Sequence, residues 1–267
     1  MDAINRLTVL KLGGSVITIK EREFTPNKKA MNRLSREISE ARVDPLIIVH
    51  GGGSFGHVPA DKYQIKQGFH ESSQLEGYSK TRQAMMTLNK LVIDALIKRG
   101  VNATTVSPIA CIITENGRIS KFEIEPLEKL LSLGLTPILY GDAVLDKKLG
   151  FTILSGDQLT SKIAIMFHAI KVVIGVDVDG LYTSDPKINS EAEFISKMRL
   201  NGIRTFMNGI IGSQNIDVTG GMSWKIAELI PVVERNIPVE LVNAKVSNRV
   251  LKSLRDEKVK GTKIVLE

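Results

Sequence analysis

Four apolar residues, Leu46-Ile-Ile-Val49, run straight into His50 and Gly51-Gly-Gly53, with Ser54, Gly56 and His57 close behind. A short apolar run bounded by Pro45 and glycine reads as a strand buried on both faces, the kind found in parallel sheets. Such strands empty at the carboxyl edge of an open α/β sheet, where ligands bind. Three glycines in a row let the backbone approach a ligand closely and turn N–H groups toward an anion. Taken alone, the stretch also fits a tight turn beside a surface histidine. The rest of the chain favours a cradle for a phosphate-bearing small molecule.

The same arrangement recurs. A strand over residues 7–12 meets Gly13-Gly14-Ser15. Lys11 places a charge at the end of that apolar strand, where it needs a partner. Beside a glycine turn, its natural partner is a phosphate. A third glycine loop, Asp217-Val-Thr-Gly-Gly-Met222, precedes a helix with Ile226, Leu229, Ile230 and Val233 on one side. Pro231 inside that pattern should kink or shorten it. Ser155-Gly-Asp157 opens another helix, with Ser155 as its cap and free N–H groups suited to an anion. No loop is a Walker motif or a dinucleotide fingerprint. Phosphoryl transfer between two anions needs several such loops, plus lysines to neutralise the transferred group. Lys11, Lys20 and Lys225 are the candidates, each close in sequence to a glycine loop.

Between these loops the pattern alternates. A helix is expected from Thr25-Pro26 to about residue 41, with proline near its first position. Residues 58–74 are polar and aperiodic, and read as a flap over the pocket. Residues 75–99 form a helix with Leu88, Leu91, Val92, Ala95 and Leu96 on one stripe and Gly100 as its stop. Met85 and Met86 on this helix either pack the core or line an apolar substrate pocket. Strands are expected at 103–106 and 109–114, then a hairpin turn at Glu115-Asn-Gly117. A short helix at 126–132, a strand at 136–140 and a hairpin over 143–153 follow. Residues 170–176 are almost wholly apolar and read as the sheet centre. Three aspartates in 177–185 lack the Gly and Glu of a calcium loop. Residues 190–215 look irregular, and the chain ends β-α-β at 239–242, 247–255 and 263–266. Alternating strands and helices predict an α/β sandwich with a mainly parallel sheet, without linker or internal repeat.

Composition narrows the function. At 267 residues the chain can bury a large core, as one broad domain or two joined lobes. A net charge of +7 raises nucleic acid as a partner, but Lys and Arg are dispersed and aromatics are only 5%. That leaves little for base stacking and suits steering of a phosphorylated substrate instead. No apolar stretch approaches the ~20 residues of a membrane span. The N-terminus runs directly into the first strand, so no signal peptide is expected. Cys111 is the single cysteine, in an apolar run, and reads as a buried thiol in a cytoplasmic protein.

Lys11-Leu-Gly-Gly-Ser15, His50-Gly-Gly-Gly-Ser-Phe-Gly-His57, Ser155-Gly-Asp157, Asp177-Val-Asp-Gly-Leu-Tyr182 and Asp217-Val-Thr-Gly-Gly-Met222 occur in that order across nearly the whole chain. Together they resemble the amino acid kinase superfamily and, within it, the isopentenyl phosphate kinases. The resemblance implies a three-layer αβα sandwich with a mainly parallel open sheet. It implies one domain over residues 1–267, with an acceptor lobe over roughly 1–168 and a nucleotide lobe over roughly 169–267. ATP, with Mg²⁺, would phosphorylate isopentenyl phosphate to isopentenyl diphosphate. His57 would bind the acceptor phosphate with Gly52 and Gly156, and Met85 and Met86 would help line its pocket. Lys11, Gly13, Gly14, Ser15 and Gly53 would meet the ATP phosphates, while Asp177, Tyr182, Gly221 and Lys225 complete the nucleotide side. Lys20 corresponds to the transition-state stabiliser, and Asp157 would orient the lysines. A histidine at position 57 differs from the Arg of uridylate kinases. It differs also from acetylglutamate and glutamate kinases, which hold a carboxylate. No general base is required, since the acceptor is already an ionised phosphate, and no protein metal ligand is implied. Dimers are common in the family, so a homodimer is expected. A kinase of a phosphonate such as fosfomycin, and a non-catalytic nucleotide sensor, are the alternatives on this fold.

Overall fold

The computed structural model describes residues 6–184, 189, 191–203, 205 and 220–267. The chain opens with β1 (Thr8–Leu12), a one-turn helix α1 (Gly14–Ile17), α2 (Lys28–Ala41) and β2 (Leu46–His50). Next come α3 (Gly53–Lys62), the long α4 (Ser73–Ile97), β3 (Ala103–Thr105) and α5 (Pro108–Cys111). They are followed by β4 (Ile112–Glu115), β5 (Arg118–Phe122), α6 (Glu125–Ser132), β6 (Thr136–Tyr140), β7 (Asp142–Asp146) and β8 (Gly150–Leu154). The second half holds α7 (Gly156–Met166), β9 (Lys171–Val176), β10 (Leu181–Tyr182), β11 (Phe194–Ile195) and β12 (Lys197–Arg199). It closes with α8 (Gly220–Val233), β13 (Val239–Asn243), α9 (Arg249–Leu254) and β14 (Gly261–Val265).

Eight strands form one sheet in the order β12-β14-β13-β9-β1-β2-β6-β3, parallel throughout except between β13 and β14. The apolar run at 171–176 lies in the middle, beside β1, as its composition predicts. Strand alternation divides the core into two faces. Val9, Ile47, Val49, Val172 and Ile174 pack under α6, α7 and α8, while Leu10, Leu12, Ile48, Val173 and Val242 pack under α2, α4 and α9. The result is a three-layer αβα sandwich. Among the described residues no helix is long and apolar enough to cross a membrane.

Several local expectations are corrected. Residues 58–74 do not form a flap: they hold the second half of α3, a short 3₁₀ turn at Ile65–Gln67 and the start of α4. Phe55, Pro59, Ala60 and Ile65 are buried, an apolar face hidden by the polar residues between them. Buried Gln74 fixes the polar remainder: it accepts from the His70 and Glu71 amides and donates to the Tyr63 and Gly68 carbonyls. The cap of α2 is Asn27, whose side chain accepts the Ala30 N–H at 3.1 Å, so Pro26 stays outside the helix. Pro108 starts a helical turn, and 109–114 therefore splits into α5 and β4. Within 190–215, the described part contains β11 and β12. Pro231 lies near the end of α8, which stops two residues later at Val233.

A second sheet, β5-β4-β7-β8, stands on two hairpins. Asn116 (φ 49°) and Gly117 (φ 74°) give the first turn the left-handed residues that a two-residue hairpin needs. Asp146 fastens both turns at once. Its carboxylate accepts from the Thr114 hydroxyl (2.7 Å) and from the amides of Asn116, Gly117, Lys148 and Leu149. Burial opposes ionisation here, yet these donors hold the Asp146 carboxyl well below the usual carboxylate range.

Candidate active site

Period-2 alternation sends Val9 and Lys11 to the face covered by α7 and α8, while Leu10 and Leu12 face the other way. Lys11 is only 3% exposed, and its Nζ lies 2.7 Å from Asp157 Oδ1. The other carboxylate oxygen accepts Lys225 Nζ from α8 at 2.9 Å. Asp157 sits in the first turn of α7, whose cap Ser155 accepts the Gln158 N–H. One carboxylate thus spaces two lysines drawn from a strand and a second helix. Burial pushes the Lys11 ammonium down to about 8, against the pull of Asp157. Burial also works to raise Asp157, but the two ammonium groups outweigh it and hold that carboxyl below its ordinary value.

The first two glycine loops touch. A methyl group built on Gly14 would lie 2.2 Å from the amide nitrogen of Gly53, and one on Gly51 would lie 2.8 Å from the Gly14 nitrogen. Only glycine fits both sides of that contact. Thr18 ties the loops together, accepting the Ser54 N–H at 3.1 Å and donating to the Gly14 carbonyl at 2.8 Å. The amides of Gly14, Ser15, Gly52 and Gly53 have no hydrogen-bond partner among the described residues. Backbone donors left free at the carboxyl edge of a parallel sheet are an anion site. Gly13 anchors the edge by donating to the Gly175 carbonyl at 2.8 Å. Gly156 packs against the end of β2, with no more than 3.3 Å between an added methyl and the His50 carbonyl.

The remaining candidates flank this centre. Lys20 is exposed after α1 and forms no ion pair with the described residues, and His57 is exposed on α3. Their segments are joined by the Phe24 N–H to Ser54 carbonyl bond (3.3 Å) and an edge contact between Phe24 and Phe55. Met85 is buried, with its sulfur 3.0 Å from where a methyl on Gly52 would stand. Met86 is 54% exposed. Neighbouring residues on a helix point about 100° apart, so the two methionines cannot share a face. Asp177 is exposed near Lys245 (3.7 Å), and the Tyr182 ring packs edge-on against Phe194. Gly221 opens α8, while residues 217–219 of the third glycine loop lie outside the described residues. Trp224, 75% exposed, stands one residue before Lys225.

Sequence reasoning missed several supports. Thr18 carries no sequence mark. Asp179 takes Lys260, Asn243 and Arg249, whose hydrogen bonds hold its carboxyl well below the usual range and pin the loop bearing Asp177 and Tyr182. Asp142 follows Gly141 at the sheet edge, 3.4 Å from Arg82, and burial pushes its carboxyl up to about 7. His50 is fully buried beneath the glycines and stacks on Tyr140. Its buried side chain could have been anticipated from its place in the apolar strand.

The sequence pattern of the Amino acid kinase family matches residues 6–243. The isopentenyl phosphate kinase of Methanothermobacter thermautotrophicus is 37% identical over 265 residues, covering 97% of this chain and 98% of that protein. The isopentenyl phosphate kinase of Methanocaldococcus jannaschii is 32% identical, with 97% and 98% covered. An isopentenyl phosphate kinase solved by X-ray methods superposes with a TM-score of 0.85 at 35% identity, over 97% of this chain and 100% of that one.

Proposed function

The chain belongs to the amino acid kinase family and, within it, to the isopentenyl phosphate kinases, and we propose on that premise that it transfers the γ-phosphoryl group of ATP to isopentenyl phosphate. An oxygen of the acceptor phosphate forms the new bond to Pγ as the bond from Pγ to the β-phosphate oxygen breaks. Isopentenyl diphosphate and ADP leave. The observation that carries this reading is the Lys11–Asp157–Lys225 row, buried at Lys11 and half-buried at the other two, beside a cradle of amides unpartnered among the described residues.

Two anions must meet in line, and the cost is offset only if positive groups lie between them. Gly14, Ser15 and Gly53 offer neutral N–H donors to the ATP phosphates, and Gly13 allows close approach. Lys11 and Lys225 supply charge, and Asp157 pairs with both ammonium groups and holds them apart. Lys20, unpaired with the described residues, is free to follow the phosphoryl group as it moves. Gly52, Gly156 and exposed His57 take the acceptor phosphate, with Met85 beneath them at the start of its apolar tail. Asp177, Tyr182 and Gly221 belong to the nucleotide side, in a lobe beginning near residue 169. No side chain need remove a proton.

Mg²⁺ would accompany the nucleotide. Among the described residues no cluster of three His, Cys, Asp or Glu could cage a metal, and both Asp157 oxygens are already held by lysines. Magnesium commonly binds through substrate phosphates with few protein ligands. No step here depends on a protein ligand to the metal. Leu75, Met86 and Ile97 are each more than half exposed at intervals of eleven residues, which is about three turns of α4. These exposed apolar residues support a homodimer formed through α4, which light scattering would measure. A lone Cys111 supports a cytoplasmic location.

The test is an ADP-release assay with Mg-ATP on isopentenyl phosphate, fosfomycin, uridylate and acetylglutamate in parallel. Strong preference for isopentenyl phosphate is expected. Turnover mainly on another acceptor would discard the substrate, and ATP binding without turnover on any would point to a sensor.

A further inference from the structure

We propose that His50 is a positioning residue for the phosphate cradle: its ring holds the Gly51 carbonyl inward, so that the Gly52 N–H faces the acceptor phosphate. The inference rests on the phosphoryl-transfer reading above.

His50 ends β2 with 0% exposure. Its Nδ1 lies 3.1 Å from the Gly51 carbonyl oxygen and its Nε2 lies 3.2 Å from Oδ1 of Asn89 on α4. Asn89 Nδ2 donates to the Thr105 hydroxyl oxygen at 2.7 Å, and the Tyr140 ring stacks on the imidazole at 5.4 Å. Four elements therefore fix one ring: β2, α4, β3 and β6.

That ring restrains a peptide nothing else restrains. The peptide before Gly51 is held by its N–H, which donates to the Leu12 carbonyl at 3.0 Å. The peptide after Gly52 is held by its carbonyl, which accepts from Phe55 and Gly56 at 3.1 and 3.2 Å. The peptide between them joins two glycines, free of side chains that would limit its rotation. Its carbonyl touches only the His50 ring, and its N–H has no partner among the described residues. Carbonyl and N–H point to opposite sides of a trans peptide. Holding the first beneath the loop turns the second outward.

The chemistry of the ring agrees. A carbonyl can only accept, so Nδ1 carries the proton. Burial lowers the His50 pKa from its ordinary value, so the ring is neutral near pH 7 and Nε2 accepts. As placed, the ring faces two acceptors, the Gly51 carbonyl and Asn89 Oδ1, and a neutral ring can donate to only one of them. Exchanging the nearly isosteric Nδ2 and Oδ1 of Asn89 satisfies all three groups, with the NH₂ facing Nε2 and the oxygen taking the Thr105 hydroxyl proton. In that orientation Asn89 selects the tautomer that donates to Gly51. The mechanism above uses none of these atoms directly.

His50→Asn, His50→Leu and the double variant His50→Leu/Asn89→Leu test this. In the first, the amide nitrogen falls where Nδ1 sat and can still donate. Steady-state rates with isopentenyl phosphate and ATP are read beside the thermal midpoint. His50→Leu should lose about 100-fold in kcat/KM for the acceptor, as when a preorganised donor is lost, with the ATP KM little changed. His50→Asn should recover at least tenfold of that loss, on the order expected for a restored donor. The double variant removes the stranded Asn89 amide, so it should regain thermal stability without regaining turnover. Equal loss in the Asn and Leu variants, or a double variant whose turnover returns with its stability, would overturn the positioning role. A wild-type protein silent on isopentenyl phosphate would overturn the functional reading itself, and the inference with it.

Discussion

Replacing Asp157 by Asn removes the one negative charge shared by Lys11 and Lys225 while keeping the side chain's shape. Lys11 Nζ stands 2.7 Å from one carboxylate oxygen and Lys225 Nζ 2.9 Å from the other. With the carboxylate in place, burial already brings Lys11 down to about 8. A neighbouring opposite charge moves a pKa by about 1–3 units, so its loss carries the Lys11 titration that much further toward acid. At pH 7 the cationic fraction then falls from about nine-tenths to between about a half and a hundredth. A neutral amine cannot offset charge on a phosphoryl group in transfer, so kcat/KM for ATP should drop about 2- to 100-fold at pH 7. The sign is fixed by the lowered lysine. Its protonated, working form is the low-pH form, so the loss is largest at high pH and activity returns as pH falls through the new pKa. The alkaline limb of kcat/KM, which reports the free enzyme, should shift acidward from near 8 in ADP-release assays run from about pH 5.5 to about 9.5. A limb that stays put while the rate falls equally at every pH would refute the electrostatic role of Asp157.

Lys20→Ala should lower turnover by about a hundred- to a thousandfold while ATP binding by calorimetry changes little; parallel losses would place Lys20 in ground-state binding. His57→Gln keeps a polar donor but cannot become a cation, so the KM for isopentenyl phosphate should rise and that for ATP should hold. Equal increases in both constants would count against His57 as the acceptor ligand. Asp146→Asn replaces a buried acceptor of five hydrogen bonds; urea unfolding should show a loss of about 3 kcal/mol. Because the Asp146 carboxyl is held below its unfolded value, its stabilisation is whole above about pH 4 and fades as pH falls below it. The variant's stability should therefore vary less than the wild type's between about pH 4 and about pH 2, and identical slopes would contradict the role given to Asp146.

The sheet and its ligand edge were legible because apolar runs ending in glycine have few other uses. Lys11 announced a partner by being a charge in an apolar strand, but that partner, Asp157, lies 146 residues away. No local pattern could pair them. The α3 helix was hidden because Gly53, Gly56 and Pro59 are poor helix formers, and its burial against α4 overrides that preference. Periodicity read with finer resolution would have separated Met85 from Met86. Thr18 and Asn89 were invisible for a different reason: each acts through a hydrogen bond to a residue distant in sequence, and a polar residue so used looks like any other.

Trp224 is the only tryptophan in the chain, and it stands on α8 next to the lysine that this helix brings to Asp157. Emission excited at the indole's red edge therefore comes from a single point, on the nucleotide side of the proposed transfer. Unlabelled protein titrated with ATP alone, with isopentenyl phosphate alone, or with both becomes its own optical gauge. Whichever ligand shifts the spectrum first reveals the order in which the two substrates load.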